Sequence, residues 1–221
     1  MYQKADKLEK RMKIISKDDN SIKNNENKKI RCFISIEIPE KIKQKINEFL
    51  NNIKISKCRL INVENLHITI LFIGYVDKIN ITKIKEILER IEISPFEVKL
   101  NGINIFPNNS RIIFINIDEN KFIWKLNKDI ENELINKKII QDFGKKHNEQ
   151  KFVSHITFAR CKNIKYSQIK QIIEKYSNYD FGTFDCNEIN LKQSTLKKNG
   201  PIYNTLFSIK FNKKHNFQII I

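Results

Sequence analysis

The chain has 221 residues, of which 40% are hydrophobic and 30% are charged, so it is long and apolar enough to bury a core in one domain. Lysine and arginine number 41 against 25 aspartate and glutamate residues, and the formal charge of +16 indicates a polyanionic partner such as nucleic acid, or an anionic surface. The start of the chain has no apolar signal-peptide core, and nowhere do about 18 apolar residues follow one another. These features predict a soluble cytoplasmic protein without a membrane-spanning segment.

The cysteines and glycines argue against the commonest cofactors. Cys32, Cys58, Cys161 and Cys186 lie far apart, with no C-x-x-C pair for zinc or for a redox dithiol. We therefore expect four reduced thiols, buried or half-buried. With only five glycines the chain has no G-x-G-x-x-G or Walker loop, which excludes the usual ATP and NAD sites.

The first 29 residues differ from the rest of the chain. They are rich in lysine and asparagine and contain no aromatic residue beyond Tyr2, which predicts a flexible basic extension. Without this segment the chain keeps 32 basic and 20 acidic residues, a formal charge of +12. The excess of positive charge is therefore a property of the folded domain as well.

Beyond the extension, apolar strand patterns and amphipathic helix patterns are mixed. Strands are predicted at residues 32–38, 67–73, 96–106, 111–117, 152–160, 183–196 and 203–211. Helices are predicted at residues 42–50, 81–91, 122–137 and 168–176. Gly74 is expected to end the second strand, and a turn at 107–110 predicts a hairpin. Because strands outnumber helices and hairpins recur, we expect an α+β fold with antiparallel sheets rather than a doubly wound parallel sheet.

Two of the four histidines begin the same short motif. The motifs are His67-Ile68-Thr69-Ile70 and His155-Ile156-Thr157-Phe158, separated by 88 residues, and each lies in a predicted strand. Because side chains alternate along a strand, histidine and threonine share one face while the apolar residues face the other way. One such motif alone is typical of an ordinary surface strand, but two copies indicate a duplication with two lobes facing a cleft.

Two facing imidazoles suit the cleavage of a phosphodiester. With a pKa near 6.5, one histidine can act as the base and the other as the acid at neutral pH. The hydroxyl groups of Thr69 and Thr157 can donate hydrogen bonds to the phosphate oxygens in place of a metal ion. The sequence therefore predicts catalytic His67 and His155, with no metal.

The sequence resembles the 2H phosphoesterases, and among them the RNA 2′,3′-cyclic phosphodiesterases also called 2′-5′ RNA ligases, or LigT/ThpR-like proteins. This family is defined by two H-x-[ST]-x motifs, and both are present. The segments that flank them are also similar: Arg31-Cys32-Phe33-Ile34-Ser35-Ile36, Glu64-Asn65-Leu66, Leu71-Phe72-Ile73-Gly74, Gly102-Ile103-Asn104-Ile105-Phe106-Pro107, Ala159-Arg160, Leu191-Lys192-Gln193-Ser194-Thr195-Leu196 and Gly200-Pro201-Ile202-Tyr203.

The resemblance covers residues 30–211 and leaves residues 1–29 and a tail at 212–221 outside the domain. It implies a bilobal α+β fold, with two pseudo-symmetric lobes of antiparallel sheet plus helices around a central cleft. It also implies hydrolysis of RNA 2′,3′-cyclic phosphate ends to 2′-phosphates without a cofactor, with weak reversible 2′-5′ ligation. The resemblance suggests that His155 is the base and His67 the acid. We expect a monomer.

Some other side chains are candidates for substrate contacts. Arg160 matches an arginine of the family and is expected to grip phosphate. Phe72 is a candidate for stacking on a base, although a strand phenylalanine is more often core. Trp124 is expected on a helix, with its side chain in the hydrophobic core of the protein. Five lysines are candidates for a basic rim along RNA, although such clusters are more often simply solvated: Lys145, Lys146, Lys151, Lys197 and Lys198.

Two alternatives remain open from the sequence. The first is a 2H phosphodiesterase for another substrate, such as 2′-5′ oligoadenylate or a small cyclic phosphate derived from ADP-ribose. The second, from a different class, is a basic RNA-binding protein whose active site is vestigial. The four motif residues argue against this second alternative, because a simple RNA-binding protein has no need of paired histidines and threonines.

Overall fold

Strands and helices are mixed along the chain in the computed structural model, which describes residues 29–106, 109–141, 152–162, 166–198 and 200–211. Within these ranges the strands are β1 (Ile30–Glu37), β2 (Cys58–Leu60), β3 (His67–Val76), β4 (Phe96–Phe106), β5 (Asn109–Ile117), β6 (His155–Cys161), β7 (Asp180–Cys186), β8 (Glu188–Lys197) and β9 (Gly200–Lys210). The helices are α1 (Glu40–Asn52), α2 (Lys78–Glu89), α3 (Lys121–Asn136) and α4 (Tyr166–Lys175), and a 3-10 helix spans Val63–Asn65. Apart from Lys29, the predicted extension and the predicted tail lie outside the described residues.

The strands form two antiparallel sheets. The first has the strand order β3-β1-β8-β9, and the second has the order β2-β6-β5-β4-β7. Each sheet carries one motif strand, β3 in the first and β6 in the second. The predicted α+β class with antiparallel sheets and two lobes is confirmed.

The sheets do not correspond to two consecutive halves of the chain. Strand β2 joins the edge of the second sheet beside β6, and the hairpin of β8 and β9 returns to the first sheet beside β1. The prediction of one strand over residues 183–196 is wrong, because the segment divides at Asn187 into β7 and β8, which belong to different sheets. No glycine or proline interrupts residues 183–196, so the sequence pattern does not mark this change of sheet.

The core lies behind the motif strands. Four apolar side chains of α1 are buried at the predicted helical spacing: Ile42, Ile46, Phe49 and Leu50. The Phe49 ring lies 4.9 Å from Phe181 and 6.2 Å from Phe158. Phe158 follows Thr157 in β6, so this aromatic packing supports the second motif strand from its apolar side.

A polar contact from helix α3 supports the first motif strand. Asn127 is only 4% exposed, and its Nδ2 donates a hydrogen bond to the main-chain oxygen of Ile70 at 2.8 Å. Such a buried amide is stabilising only when it is paired. Because Ile70 follows Thr69, this bond fixes β3 next to one of the predicted site residues.

Gly74 interrupts the pairing of β3 without ending the strand, so the prediction of a strand end there is wrong. The strand continues to Val76, while Gly74 has a φ of +88°. The register with β1 shifts at this point: Gly74 lies opposite Cys32, and Phe72 lies opposite Phe33. The glycine thus provides the backbone freedom for a β-bulge.

The prediction of four reduced cysteines is also wrong. Cys58 of β2 and Cys161 of β6 form a disulfide across 103 residues of sequence. They lie directly opposite each other, and the flanking main-chain bonds are Lys162 N to Lys57 O and Ile61 N to Phe158 O. This is the non-hydrogen-bonded type of pair, in which side chains of adjacent strands come closest. Sequence spacing alone does not reveal such a pairing.

The other two cysteines are buried free thiols, as expected. Burial raises the pKa of Cys32 to about 11. Burial also raises the pKa of Cys186 to about 12. Both thiols are therefore protonated at neutral pH and poorly nucleophilic.

Helix α3 exposes one residue that was expected in the core. Trp124 is 50% exposed, whereas Leu126 and Ile130 are buried. Trp124 is two residues from Leu126, which places it about 200° away around a helix. None of the helices in the described ranges is long and apolar enough to cross a membrane.

Candidate active site

The two motif strands face a common cavity between the sheets, with a volume of about 950 Å³. It is lined by all six side chains for which the sequence predicts a role: His67, Thr69, Phe72, His155, Thr157 and Arg160. The structure thus brings together the residues of two motifs that lie 88 residues apart in the sequence.

The alternation of each motif strand places its polar residues on the cavity side. Ile68 and Ile156 are completely buried in the core. Their neighbours His67 and His155 are only partly buried and line the cavity. This arrangement follows from the two-residue period of a strand, as predicted from the motifs.

Both histidine rings are anchored in the same way. His67 Nδ1 lies 2.7 Å from the main-chain oxygen of Asn65, and His155 Nδ1 lies 2.8 Å from that of Val153. Because a carbonyl oxygen only accepts, Nδ1 is the donor in each case and carries the proton. In the neutral rings Nε2 is therefore the nitrogen that can take up a proton.

Aromatic rings surround each histidine. His67 lies 5.0 Å from the ring of Phe33 and 5.1 Å from that of Tyr203. The second imidazole is placed similarly, with Phe106 and Phe114 at ring distances of 5.0 and 5.1 Å. These apolar walls hold the rings in place and remove water from them.

This environment lowers the pKa of both histidines. Burial is the main cause for each, since it disfavours the charged imidazolium. For His67 the hydrogen bond to Asn65 and the nearby carboxylate of Glu37 oppose the shift. For His155 the charge of Arg160 lowers the pKa further.

Glu37 forms an ion pair with a buried lysine beside His67. Lys192 Nζ lies 2.6 Å from Glu37 Oε1, and Lys192 is only 8% exposed. Glu37 is also directly opposite His67 in the pairing of β1 with β3. A paired carboxylate and ammonium thus flank one histidine, whereas an arginine faces the other.

Arg160 and Phe72 are both exposed and line the cavity. Arg160 lies on β6 opposite Arg59 of β2, which also lines the cavity. Phe72 is 67% exposed, and its ring lies 6.2 Å from that of Phe33. Phe72 is therefore not a core residue, and its face is accessible to a ligand.

The cavity residues without a role assigned from the sequence include Arg31, Phe33 and Tyr203. Arg31 and Phe33 share the cleft face of β1 because they are two residues apart. Tyr203 stands in the recognised closing hairpin, yet only its packing on His67 distinguishes it from any strand tyrosine. The alternation of side chains along β1 could have shown which face Arg31 occupies, but it could not have shown that a cavity lies on that face.

The turn between β8 and β9 closes one end of the cavity. Asn65 Nδ2 donates a hydrogen bond to the main-chain oxygen of Pro201 at 3.4 Å. Gly200 has a φ of +120°, and a Cβ there would lie 3.0 Å from Arg59 Nη2. Glycine is thus favoured by the backbone conformation where the first sheet meets the edge of the second.

The basic rim is described only in part. Lys197 and Lys198 are exposed and line the cavity. Lys145, Lys146 and Lys151 lie outside the described residues. Among the described residues no three His, Cys, Asp or Glu side chains come together as metal ligands.

The fold matches that of a known group of solved structures. E. coli LigT, in its apo form, superposes with a TM-score of 0.69 at 17% identity over 85% of this chain and 100% of that chain. At this identity the likeness defines the fold alone: two antiparallel sheets of the LigT type with helices packed on them.

Sequence comparison then gives the family. The model of the AKAP7 2′5′ RNA ligase-like domain matches residues 32–211. A Methanocaldococcus jannaschii protein named RNA 2′,3′-cyclic phosphodiesterase is 39% identical, over 80% of this chain and 98% of its own length. An Archaeoglobus fulgidus protein of the same name is 30% identical, also over 80% of this chain and 98% of its own length. The chain belongs to the 2′-5′ RNA ligase-like family of 2H phosphoesterases.

Proposed function

We propose that the protein hydrolyses RNA 2′,3′-cyclic phosphate ends to 2′-phosphates. The observation that carries this proposal is the pair of histidines, each with Nδ1 held by a main-chain carbonyl and each lining the same cavity with a threonine. The names of the Methanocaldococcus and Archaeoglobus relatives support this substrate class.

In the proposed reaction one histidine removes a proton and the other supplies one. His155 Nε2 takes a proton from water, and the water oxygen attacks phosphorus. The bond from phosphorus to the ribose 3′ oxygen breaks, and His67 Nε2 gives its proton to that oxygen. The product has a 3′-hydroxyl and a 2′-phosphate, and the two histidines then exchange protons with solvent. A 5′-hydroxyl in place of water would give a 2′-5′ linkage by the same transfers.

The charges around the rings support this order of roles. An acid must be protonated when the substrate binds, and Glu37 is the carboxylate that favours the charged form of His67. A base must be neutral, and the positive charge of Arg160 favours the neutral form of His155. Burial favours the neutral form of both rings, and a carboxylate opposes this effect only at His67.

The phosphate is held by the side chains beside the histidines. We assign Thr69 and Thr157 to hydrogen bonds with the non-bridging oxygens. We assign Arg160 to stabilising the negative charge on these oxygens when the attacking oxygen becomes the fifth bonded to phosphorus. Phe72 is assigned to stacking on a base at the mouth of the cavity. These donors make a resident metal ion unnecessary, so EDTA is expected to leave the rate unchanged.

The proposal extends to the organisation of the protein. Residues 30–211 form the catalytic unit, in agreement with the family match at 32–211, and residues 1–29 are an accessory basic segment. We propose a cytoplasmic monomer that acts on RNA ends. Removal of residues 1–29 should preserve turnover of a cyclic mononucleotide; loss of that turnover would place the segment within the catalytic unit.

The proposed function is tested by product analysis. The purified full chain is incubated with an RNA oligonucleotide ending in a 2′,3′-cyclic phosphate, with and without EDTA, and the ends are separated by chromatography. We expect a 2′-phosphate in both reactions. A 3′-phosphate, or activity that requires a divalent ion, contradicts the mechanism. RNA binding without any hydrolysis of cyclic phosphates supports the vestigial binding protein instead.

A further inference from the structure

Two arginines at the cavity have no acidic partner in the described part of the chain. Arg31 is exposed at the start of β1, and Arg160 is exposed near the end of β6. Neither forms an ion pair with any described carboxylate, in contrast to Lys192, which pairs with Glu37. Cations without a carboxylate partner in a cavity are best satisfied by anions that enter from solution.

Tyr203 lines the same cavity as both arginines. Burial raises the pKa of Tyr203, while the positive charges of Arg160 and Arg31 act in the opposite direction. The phenol remains protonated at neutral pH and can donate a hydrogen bond. Its ring is fixed between the rings of His67 and Phe33, at 5.1 and 5.0 Å. A hydrogen-bond donor on a fixed ring thus shares the cavity with two cations.

Arg31 is displaced along the cleft from the reacting phosphate. Thr69, which we assign to that phosphate, lies opposite Ser35 in the pairing of β3 with β1. Arg31 precedes Ser35 by four residues on the same face of β1, a distance of about 13 Å between Cα atoms. An anion held by Arg31 therefore belongs to a part of the substrate beyond the cyclic phosphate.

We propose that Arg31 and the Tyr203 hydroxyl bind the phosphate on the 5′ side of the terminal nucleotide. This inference rests on the proposed function and specifies its substrate. The site selects the end of an RNA chain, whose terminal nucleotide always has such a phosphate, over a nucleoside that has only the cyclic phosphate. The exposed ring of Phe72, beside Phe33 on the same wall, then faces the adjoining base.

The test compares substrates that differ only in the 5′ phosphate. We measure kcat/KM for adenosine 2′,3′-cyclic phosphate, for its 5′-phosphorylated form and for the dinucleotide with the same cyclic end. The variants are Arg31→Ala, Arg31→Lys and Arg90→Ala. Arg90 is a matched control, because it is exposed at the end of α2 and does not line the cavity.

The measured quantity is the preference, the ratio of kcat/KM with the 5′ phosphate to kcat/KM without it. A charged hydrogen bond to phosphate predicts that Arg31→Ala lowers this preference about 10- to 100-fold, chiefly through KM. Arg31→Lys retains part of the preference, since the charge remains without the planar fork. Arg90→Ala retains all of it.

The outcomes separate this site from the proposed function. If the wild type hydrolyses none of the substrates, the proposed function fails. If it hydrolyses them and Arg31→Ala leaves the preference unchanged, only the Arg31 site is overturned. Arg31→Ala could also lower the preference for the 5′-phosphorylated mononucleotide but leave the preference for the dinucleotide unchanged. This result overturns the assignment to RNA, because the site then binds a free phosphate monoester.

Discussion

The motif strands β3 and β6 have the same local design and different charges around it. In each strand a histidine is tied through Nδ1 to the main-chain oxygen two residues earlier and is packed between two aromatic rings. Beside His67, however, the structure places the ion pair of Glu37 and Lys192, and beside His155 it places Arg160. The repeated backbone geometry places the proton on Nδ1 of both neutral rings, while the charges beside the two rings differ.

The largest expected effect comes from removal of either imidazole. His67→Ala and His155→Ala should each lower kcat for cyclic phosphate hydrolysis about 10²- to 10⁴-fold. The pH profiles of the residual activity should differ if the proposed roles hold: the loss of His67 then removes the fall at high pH, and the loss of His155 removes the fall at low pH. Steady-state rates across the pH range measure both effects.

Asparagine serves as the matched control in both positions. Its side-chain amide can still donate to the carbonyl of Asn65 or Val153, but it has no nitrogen in the place of Nε2. If the histidines act in proton transfer, the asparagine variants are as inactive as the alanine variants. Recovery of activity with asparagine would mean that the rings have only a structural role.

The second largest effect is expected from the disulfide, which links one motif strand but not the other to a neighbouring strand. Strand β6 is covalently linked to its neighbour β2 by the Cys58–Cys161 disulfide, whereas the described part of β3 has no such link. A disulfide that closes a loop of this length contributes about 2–5 kcal/mol to stability. We expect Cys58→Ser combined with Cys161→Ser to lower the free energy of unfolding by that amount, measured by urea denaturation.

Reduction of the wild-type protein provides an independent check of the disulfide. A reducing agent should lower the wild-type stability to that of the double variant and leave the double variant unaffected. A wild-type protein whose unfolding is the same with and without reducing agent would contradict the disulfide. The buried thiols of Cys32 and Cys186 are present in both proteins and cancel in the comparison.

The third prediction concerns the pH at which the enzyme works best. Burial holds the pKa of both histidines below the usual 6.5. The active form of the free enzyme has one ring protonated and one neutral, and this form is most abundant midway between the two values. We therefore expect kcat/KM to be highest below pH 6.5 and to fall at higher pH as His67 loses its proton. A maximum above pH 7 would contradict these environments.

The smallest effect is expected from the carboxylate beside His67. Because Glu37 raises the pKa of His67 and Lys192 lowers it, Glu37→Gln should lower that pKa further. The fall of kcat/KM at high pH should move to lower pH, with about a tenfold or smaller change in rate at neutral pH. Glu64→Gln is the control, since Glu64 is an exposed partner of Lys43. An equal shift in both variants would mean that general charge, not the position of Glu37, is responsible.

The sequence predicted the local pattern of the site better than its surroundings. The two-residue period of the motif strands correctly placed the histidines and threonines on one face, because alternation depends only on the backbone. It did not predict the disulfide or the division at Asn187, because both depend on which strands become neighbours in three dimensions. Tyr203 was missed for the same reason, because its contact with His67 exists only in the folded chain.

The disulfide also determines what happens when the chain is cut. Since it joins residue 58 to residue 161, a single peptide bond broken anywhere between them leaves one covalent molecule. A cut between His67 and His155 puts the two histidines on separate fragments, which stay tethered unless the disulfide is reduced. Nicked protein would run as a single species on non-reducing gels and as two fragments on reducing gels. A molecule damaged by a protease in this region keeps both halves of its cavity within reach of each other.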